Sequence, residues 1–308
     1  MITNYTEQHG WLVTTGSDKP ILSVFTGPTI LEQKWLREIH KIGDHNISAA
    51  LSDDSEANVS MEFSHAALIF KAPLSTHSPE GGSFETTVVG FFLFESELIV
   101  IMREAIDILG KLPQRQQMTP ASIMLHAISR IIFEFSVGLK NISRAYDNIE
   151  EKANISMDNK DLIDLFTIEK ELIYFLSGMN SNAYVFEKLS RFMERLNCDE
   201  DDLTELQSVE SEARRLCKQA EMYSNITATL SSARVSIVSN NLTALMKNLN
   251  ILTIGIMVPT FVVSAFSMNV EIPLQHSRYA FVLVMIFATL SVALFFFYWK
   301  FSTVRIRK

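Results

Sequence analysis

Two long runs near the C-terminal end of the sequence contain no charged residue. They cover residues 248–270 and 279–299, which are 23 and 21 positions. A helix needs about 20 predominantly apolar residues to cross the roughly 30 Å hydrocarbon layer of a membrane. The pattern predicts two transmembrane helices. The segment between them, 271–278, begins with Glu271 and contains Pro273, and it is short enough to predict a tight hairpin with an outer loop.

The chain before these runs has the hydrophobic period of long helices. Residues 121–247 contain no proline, and their only glycines are Gly138 and Gly178. This lack of helix breakers predicts helices over 120–153 and 158–196, and a third that starts after the acidic cluster 199–202 and continues into the first charge-free run. Acidic residues favour a helix N-terminus because they meet the positive end of the helix dipole. The third helix would exceed 60 residues, or about 90 Å at 1.5 Å per residue, so we expect it to pack against copies of itself.

The first part of the chain is rich in turns. Residues 1–120 hold six of the eight prolines and eight of the eleven glycines. Runs rich in β-branched and aromatic residues predict strands at 11–15, 66–71, 86–94 and 98–102, and a loop over 75–83. A 3.6-residue period over 29–42 predicts a helix with an apolar face formed by Ile30, Leu31, Trp35, Leu36 and Ile39. The predicted organisation is an α+β domain over 1–115 and a region of long helices, including a stalk, over 116–247.

Charge is unevenly distributed over these regions. The whole chain has a formal net charge of −8, but residues 249–308 contain one acidic and five basic residues. The preceding 248 residues therefore carry 34 acidic and 22 basic residues, a net charge of −12. This balance excludes a nucleic-acid binder that acts through bulk positive charge, and two cysteines in 308 residues exclude a disulfide scaffold.

The basic residues at the C-terminal end predict the orientation of the hairpin. The tail 300–308 contains Lys300, Arg305, Arg307 and Lys308 and no acidic residue. By the positive-inside rule, the tail lies in the cytoplasm, and so does the large N-terminal part. Tyr298 and Trp299 fit aromatic anchors at the membrane interface. The N-terminus lacks a signal-peptide pattern, so we expect a multi-pass protein of the inner (cytoplasmic) membrane with both termini in the cytoplasm.

A stripe of polar residues runs along one face of the first predicted span and the turns just before it. Starting from Thr243, every residue reached by alternating steps of three and four positions is polar or methionine, whereas the intervening positions are mostly Leu, Ile, Val and Phe. Such a face is costly in lipid unless it meets other helices or water. It fits either contacts between helices or the lining of a pore, and a pore requires a homo-oligomer, since two spans cannot enclose one. The eight positions are Thr243, Met246, Asn250, Thr253, Met257, Thr260, Ser264 and Ser267.

The stripe ends at the tripeptide Ser267-Met268-Asn269, directly before the loop that Val270 and Glu271 begin. Here the chain resembles the CorA family of magnesium transporters, which carries a Gly-Met-Asn signature at the outer end of the first of two C-terminal spans. The resemblance covers the whole layout of the chain. It is most specific near the membrane, where Ser239-Asn240, Met246-Lys247, Leu249 and Thr260 match the family's stalk-to-pore pattern without a gap.

The resemblance implies a function and roles for individual residues. It implies a homopentameric channel for hydrated divalent cations, most simply Mg²⁺. Asn269 would bind the ion at the outer mouth, beside Ser267 and Met268. Met246 and Leu249 would form a hydrophobic constriction, and Met257 and Thr260 further pore positions.

The resemblance also implies cytoplasmic acidic residues that sense Mg²⁺, so the cation would be a regulator as well as the transported ion. It does not place them. Asp53, Asp54, Glu56 and the cluster 199–202 are candidates, although acidic runs also occur as solvated surface or helix starts.

Two departures from the family pattern leave the identity of the transported ion open. Serine replaces the glycine of the signature at Ser267, and Thr243 replaces an asparagine common in the stalk. Variation of this motif accompanies zinc transport in the related ZntB branch, so a transporter of Zn²⁺, Co²⁺ or Ni²⁺ is one alternative. A membrane-anchored signalling or scaffold protein without transport is another. No phosphate-binding loop, metalloprotease motif or nucleophile elbow occurs, so we expect no enzymatic activity and no cofactor.

Overall fold

The computed structural model describes residues 1–8, 11–14, 20–74, 84–110, 118–153, 159–193, 200–268 and 279–306. These residues form two compact units, Met1–Ser231 and Ser232–Lys308. The strands are β1 (Ile2–Gln8), β2 (Trp11–Thr14), β3 (Leu22–Thr26), β4 (Asn58–Met61), β5 (Ala66–Leu74), β6 (Glu85–Leu93) and β7 (Leu98–Met102). The helices are α1 (Ile30–Glu38), α2 (Asp44–Leu51), α3 (Pro120–Ala153), α4 (Asn159–Met193), α5 (Glu200–Phe266) and α6 (Ala280–Ile306).

The strands of the first unit form a single seven-stranded sheet in the order β2-β1-β3-β7-β6-β5-β4. All neighbouring strands are antiparallel except β3 and β7, which pair in parallel from Leu22 opposite Leu98 to Thr26 opposite Met102. Parallel neighbours need a crossover between them, and here the crossover contains α1, α2 and β4 to β6. The expected α+β domain is therefore present, with a mixed sheet.

Both faces of the sheet are covered, as the alternation along β7 illustrates. Its five residues are all buried, but Leu98, Val100 and Met102 belong to one core whereas Ile99 and Ile101 belong to another. The larger core packs the sheet against α3, α4 and the first part of α5. The smaller core packs the other face against α1 and α2. A central strand covered on both sides has a continuous apolar sequence, because successive side chains point to opposite faces.

Glycine at position 90 permits the close approach of α2 to the sheet. A Cβ atom on Gly90 would lie 2.6 Å from the Cβ of Ala50 in α2 and 3.0 Å from the Phe92 ring. Gly90 lies in the middle of β6, where glycine would otherwise weaken the strand. The residue is explained by the helix it accommodates.

The helix predicted over 29–42 is present but shorter, and its predicted apolar face is wrong. Thr29 caps α1 through a capping box, in which its hydroxyl accepts from the Glu32 N–H at 3.3 Å and the Glu32 carboxylate accepts from the Thr29 N–H at 2.6 Å. The helix ends at Glu38, and Lys41 follows with φ of 57°, which a continuing helix cannot contain. Of the five predicted face residues only Leu36 is buried; the exposed ones are Ile30, Leu31, Trp35 and Ile39.

The structure confirms most of the other predicted elements and contains four that the sequence pattern did not predict. The strand at 98–102 and the helix at 120–153 agree with β7 and α3, and the predicted strands at 11–15, 66–71 and 86–94 correspond to β2, β5 and β6. The helices predicted over 158–196 and beyond 202 correspond to α4 and to α5, which is one helix of 67 residues. The loop predicted over 75–83 lies outside the described residues. The pattern missed β1, β3, β4 and α2.

Asn182 of α4 completes the hydrogen bonding of one edge of β5. The pairing of β4 with β5 ends at Asn58 opposite Ile69. Beyond it, the Asn182 carboxamide oxygen accepts from the Lys71 N–H at 2.8 Å, and its NH₂ group donates to the Lys71 carbonyl at 2.9 Å. Asn182 is fully buried. A buried side chain thus replaces the missing strand neighbour, as buried backbone groups require.

We expect Asn182→Leu to destabilise the first unit. The change leaves two backbone groups of Lys71 without partners, at about 1–3 kcal/mol each, so the loss is about 2–6 kcal/mol. At about 2–4 °C per kcal/mol in a domain of this size, the unfolding temperature should fall by at least about 4 °C. The measurement is thermal unfolding of the detergent-solubilised chain, followed by circular dichroism. Asn180→Leu, on the exposed side of the same helix, is the control; equal midpoints for the two variants would contradict the role of Asn182.

Candidate functional site

Three helices within the described residues are long and apolar enough to cross a membrane: Pro120–Glu151, Glu200–Phe266 and Ala280–Lys300. Their most apolar windows differ in burial. The window in α3 is 56% buried, whereas those in α5 and α6 are 0% and 6% buried. The apolar residues of α3 are explained by the core of the first unit. Those of α5 and α6 require another environment, which agrees with the two charge-free runs in the sequence.

Within the second unit, α5 packs on α6 through one face. The partly buried residues of the apolar part of α5 recur at Ile251, Gly255, Val258 and Val262, a spacing that keeps them on one side of a helix. A Cβ atom on Gly255 would lie 3.9 Å from the Phe296 ring of α6. Near the other end, the rings of Phe266 and Phe287 stack with centroids 6.4 Å apart and an interplanar angle of 9°.

The polar stripe lies on the opposite face of α5. At 100° per residue, Met257 is about 200° and Ser264 about 180° around the helix from Gly255. All eight stripe residues are exposed, whereas the residues facing α6 are partly buried. Most of the stripe therefore faces away from the chain's own second span, although three residues at its N-terminal end, Thr243, Met246 and Asn250, border a groove that α6 also lines. A polar face in a membrane must meet water or other protein, so it must meet either copies of this chain or an aqueous pathway.

The hydroxyl groups of the stripe threonines point their protons into the helix. Thr243, Thr253 and Thr260 donate to the carbonyl oxygens of Ser239, Leu249 and Ile256, four residues earlier, at 2.9, 2.9 and 2.7 Å. A hydroxyl has one donor and two acceptor lone pairs, so these groups offer acceptors outward. The waters around a cation direct their hydrogen atoms away from it. The stripe therefore presents the partners that a hydrated cation needs.

The apolar side chains predicted to line the pathway are exposed as well. Met246 and Met257 of the stripe are 64% and 65% exposed and the neighbouring Leu249 is 63% exposed, so all three side chains project from α5. At its C-terminal end α5 stops at Phe266, and the Ser267 N–H donates to the Ser264 carbonyl at 3.0 Å in a turn. Met268 is exposed. Asn269 and Glu271 lie outside the described residues.

The other end of the hairpin has a feature that the sequence did not predict. A groove of about 490 Å³ lies between α5 and α6, and three residues of the stripe, Thr243, Met246 and Asn250, line it. Its walls include Lys247 and Ile254 of α5 and three residues of α6, Phe295, Tyr298 and Trp299. Lys247 precedes the first charge-free run and Trp299 ends the second. Because Lys247 and Trp299 line the same groove, the start of the first charge-free run lies beside the end of the second. An antiparallel hairpin requires this arrangement.

The candidate cytoplasmic sensor Asp53 is engaged in contacts within the first unit. Its carboxylate accepts from the Thr87 hydroxyl at 2.7 Å and from the Arg103 guanidinium at 2.6 Å. The Lys71 ammonium donates to the Asp53 carbonyl, and burial lowers the pKa of Lys71, although Asp53, Asp54 and Glu56 oppose that shift. In the described part of the chain, no group of three or more His, Cys, Asp or Glu side chains could hold a metal ion.

Comparisons with known proteins identify the family. The family model described as CorA-like Mg²⁺ transporter protein matches residues 24–300. A comparison with curated proteins gives no match. Among solved structures, the complete CorA magnesium transporter of Methanocaldococcus jannaschii is similar over 97% of both chains, with a TM-score of 0.81 and 16% identity.

Two further structures share the fold. Full-length CmaX has a TM-score of 0.76 and 15% identity, over 99% of this chain and 97% of CmaX. The cytoplasmic domain of ZntB from Vibrio parahaemolyticus has a TM-score of 0.61 and 13% identity, over 78% of this chain and 98% of that domain. The family match covers most of the chain, and the fold agrees with it. The chain belongs to the CorA-like Mg²⁺ transporter family, and it is therefore a divalent cation transporter and not an enzyme.

Proposed function

We propose that copies of this chain assemble, most simply as a homopentamer, into a channel that conducts hydrated Mg²⁺ along the polar stripe of α5. The observation that carries the proposal is the position of the stripe, exposed and opposite the face of α5 that packs on α6. A ring of such helices would direct eight polar or methionine positions from each copy toward a common axis. The seam recurs every 3.5 residues, which keeps one face toward the axis when helices pack together.

The proposed pathway has three parts. Asn269 forms the outer mouth beside Ser267 and Met268, and its amide oxygen accepts hydrogen bonds from the waters of the ion. Magnesium dehydrates reluctantly, so a neutral ring that binds its hydration shell captures the ion and still releases it. Thr253, Thr260 and the other stripe residues accept from the same waters along the span. Rings of Met246 and Leu249 form a constriction that closes by excluding water.

The arrangement in the membrane completes the proposal. Residues 248–270 and 279–299 span the inner membrane, the loop 271–278 lies outside, and the two cytoplasmic regions 1–115 and 116–247 and the tail 300–308 lie inside. The inside-negative potential then drives entry, supplying about 4.6 kcal/mol for two charges at 100 mV.

Flux measured with purified protein tests this function. The chain is reconstituted in liposomes, and uptake of Mg²⁺ and of Zn²⁺ is measured at matched gradients with an inside-negative potential. We expect Mg²⁺ uptake well above that of protein-free liposomes. Faster uptake of Zn²⁺ would instead support the zinc alternative, which the serine at position 267 of the signature motivates. Uptake of neither ion would support a scaffold role and would contradict the channel.

A further inference from the structure

The groove between α5 and α6 has the composition of a lipid site. Its lining is mostly apolar, with Met246, Ile251 and Ile254 on α5 and Phe295 on α6, and it also includes Thr243, Asn250, Lys247 and the aromatic pair Tyr298-Trp299. Its volume of about 490 Å³ falls in the range of small-molecule sites. An apolar slot with one cation at its mouth fits an amphiphile with an acidic head and a hydrocarbon tail.

The depth of the groove in the membrane determines which kind of amphiphile can enter it. Lys247 and Lys300 are the charged residues that bound the two charge-free runs at this end of the hairpin. Tyrosine and tryptophan concentrate at the level of lipid headgroups, as Tyr298 and Trp299 do here. The open end of the groove therefore lies at the membrane interface, and the apolar part extends toward the acyl chains.

Charge complementarity selects an anionic headgroup. Within the described part of the chain, the Lys247 side chain makes no hydrogen bond or ion pair, and its ammonium is the positive charge that lines the groove. Anionic phospholipids of the cytoplasmic leaflet attract basic residues placed next to a transmembrane helix. We propose that the groove between α5 and α6 binds an anionic phospholipid, with its phosphate on Lys247, its glycerol region beside Tyr298 and Trp299, and one acyl chain along Ile251, Ile254 and Phe295.

The groove adjoins the proposed ion pathway, since Thr243, Met246 and Asn250 of the stripe also line it. Lys247 projects from a flank of α5, about 100° around the helix from Met246, and it is not part of the proposed constriction. A bound lipid would fill the space between the two helices of one chain at the level where the stripe begins. The proposal adds a ligand that the proposed channel function does not require.

Fluorescence quenching of Trp299 tests the proposal. The chain has three tryptophans, so Trp11→Phe and Trp35→Phe leave Trp299 as the single emitter. The full chain is placed in phosphatidylcholine nanodiscs that contain either brominated phosphatidylglycerol or the same fraction of brominated phosphatidylcholine. We expect at least about twofold stronger quenching by the anionic lipid. Lys247→Gln should reduce this to the phosphatidylcholine level, and Lys247→Arg should preserve it because it keeps the charge.

Lys300→Gln is the matched control, since it removes one positive charge at the same level but outside the groove walls. It should retain the preference for the anionic lipid. Equal quenching by the two lipids in the parent protein, or equal effects of Lys247→Gln and Lys300→Gln, would overturn the proposal. Quenching by neither lipid would also overturn it and would show that a protein surface, such as a second copy, fills the groove. None of these results depends on ion flux, so a failure here is distinct from a failure of the channel proposal.

Discussion

Asn269→Ala is expected to abolish uptake of Mg²⁺ into liposomes. In an assembly of identical chains, one substitution removes an amide from every copy at the mouth. A neutral hydrogen bond contributes about 0.5–1.5 kcal/mol, so the loss of several of them at the step where the ion enters should lower flux by about a hundredfold or more. In the sequence Asn269 directly follows Ser267 and Met268, which come after the end of α5 at Phe266.

The controls separate a role at the mouth from an effect on assembly. Asn180→Ala, which removes an exposed asparagine from α4, should transport at the parental rate. Asn269→Asp should bind the dication more tightly and release it more slowly, so its uptake should saturate at lower Mg²⁺ with a lower maximum. Parental flux in Asn269→Ala, with the same amount of protein in the liposomes, would refute the assigned mouth.

The double substitution Thr253→Leu and Ser264→Leu is expected to abolish flux as well. Both residues lie in the exposed stripe, and the Thr253 hydroxyl already donates to the Leu249 carbonyl, so its oxygen is free to accept from water. Leucine removes those acceptors and adds apolar volume on the same face. The change extends the apolar constriction, and such a ring excludes water from a pore. Flux is measured in liposomes, and the size of the assembly by chemical cross-linking.

Two variants distinguish a pore from contacts between helices. Thr253→Ser keeps the hydroxyl and should retain flux. Val263→Leu adds apolar volume on an exposed flank away from the stripe and should also retain it. If the double leucine variant transports normally, the stripe serves helix contacts. If the variant loses both flux and assembly, the stripe holds the copies together, and the pore needs another lining.

The long helices could be predicted from the sequence because their signal is local. An uninterrupted 3.6-residue period without proline determined α3 to within a residue at both ends, and the same signal gave one helix from the acidic cluster at Glu200 into the first charge-free run. Propagation of a helix depends on neighbouring residues, so the pattern within a window is sufficient evidence.

The missed strands and the wrong face of α1 depended on distant partners. β1 is a polar strand that forms because it pairs with β2 and β3, and β3 forms its parallel ladder with β7, more than 70 residues away in the sequence. In α1, the period correctly grouped Ile30, Leu31 and Trp35, but only Leu36 enters the core of that face. A period tells which side chains share a side, whereas burial depends on what the rest of the chain places there.

The same division applies to the candidate site. The two charge-free runs, the polar stripe and the Ser267-Met268-Asn269 signature could all be read from the sequence, since each is a local pattern of neighbouring positions. The tertiary structure was needed to show that the most apolar window of α3 is 56% buried whereas those of α5 and α6 are 0% and 6% buried. It also decided that the stripe lies opposite α6 and that Lys247 meets Tyr298 and Trp299. Rotation of a helix about its axis is set by packing against a neighbour, as Gly255 against Phe296 shows, and no local pattern contains that contact.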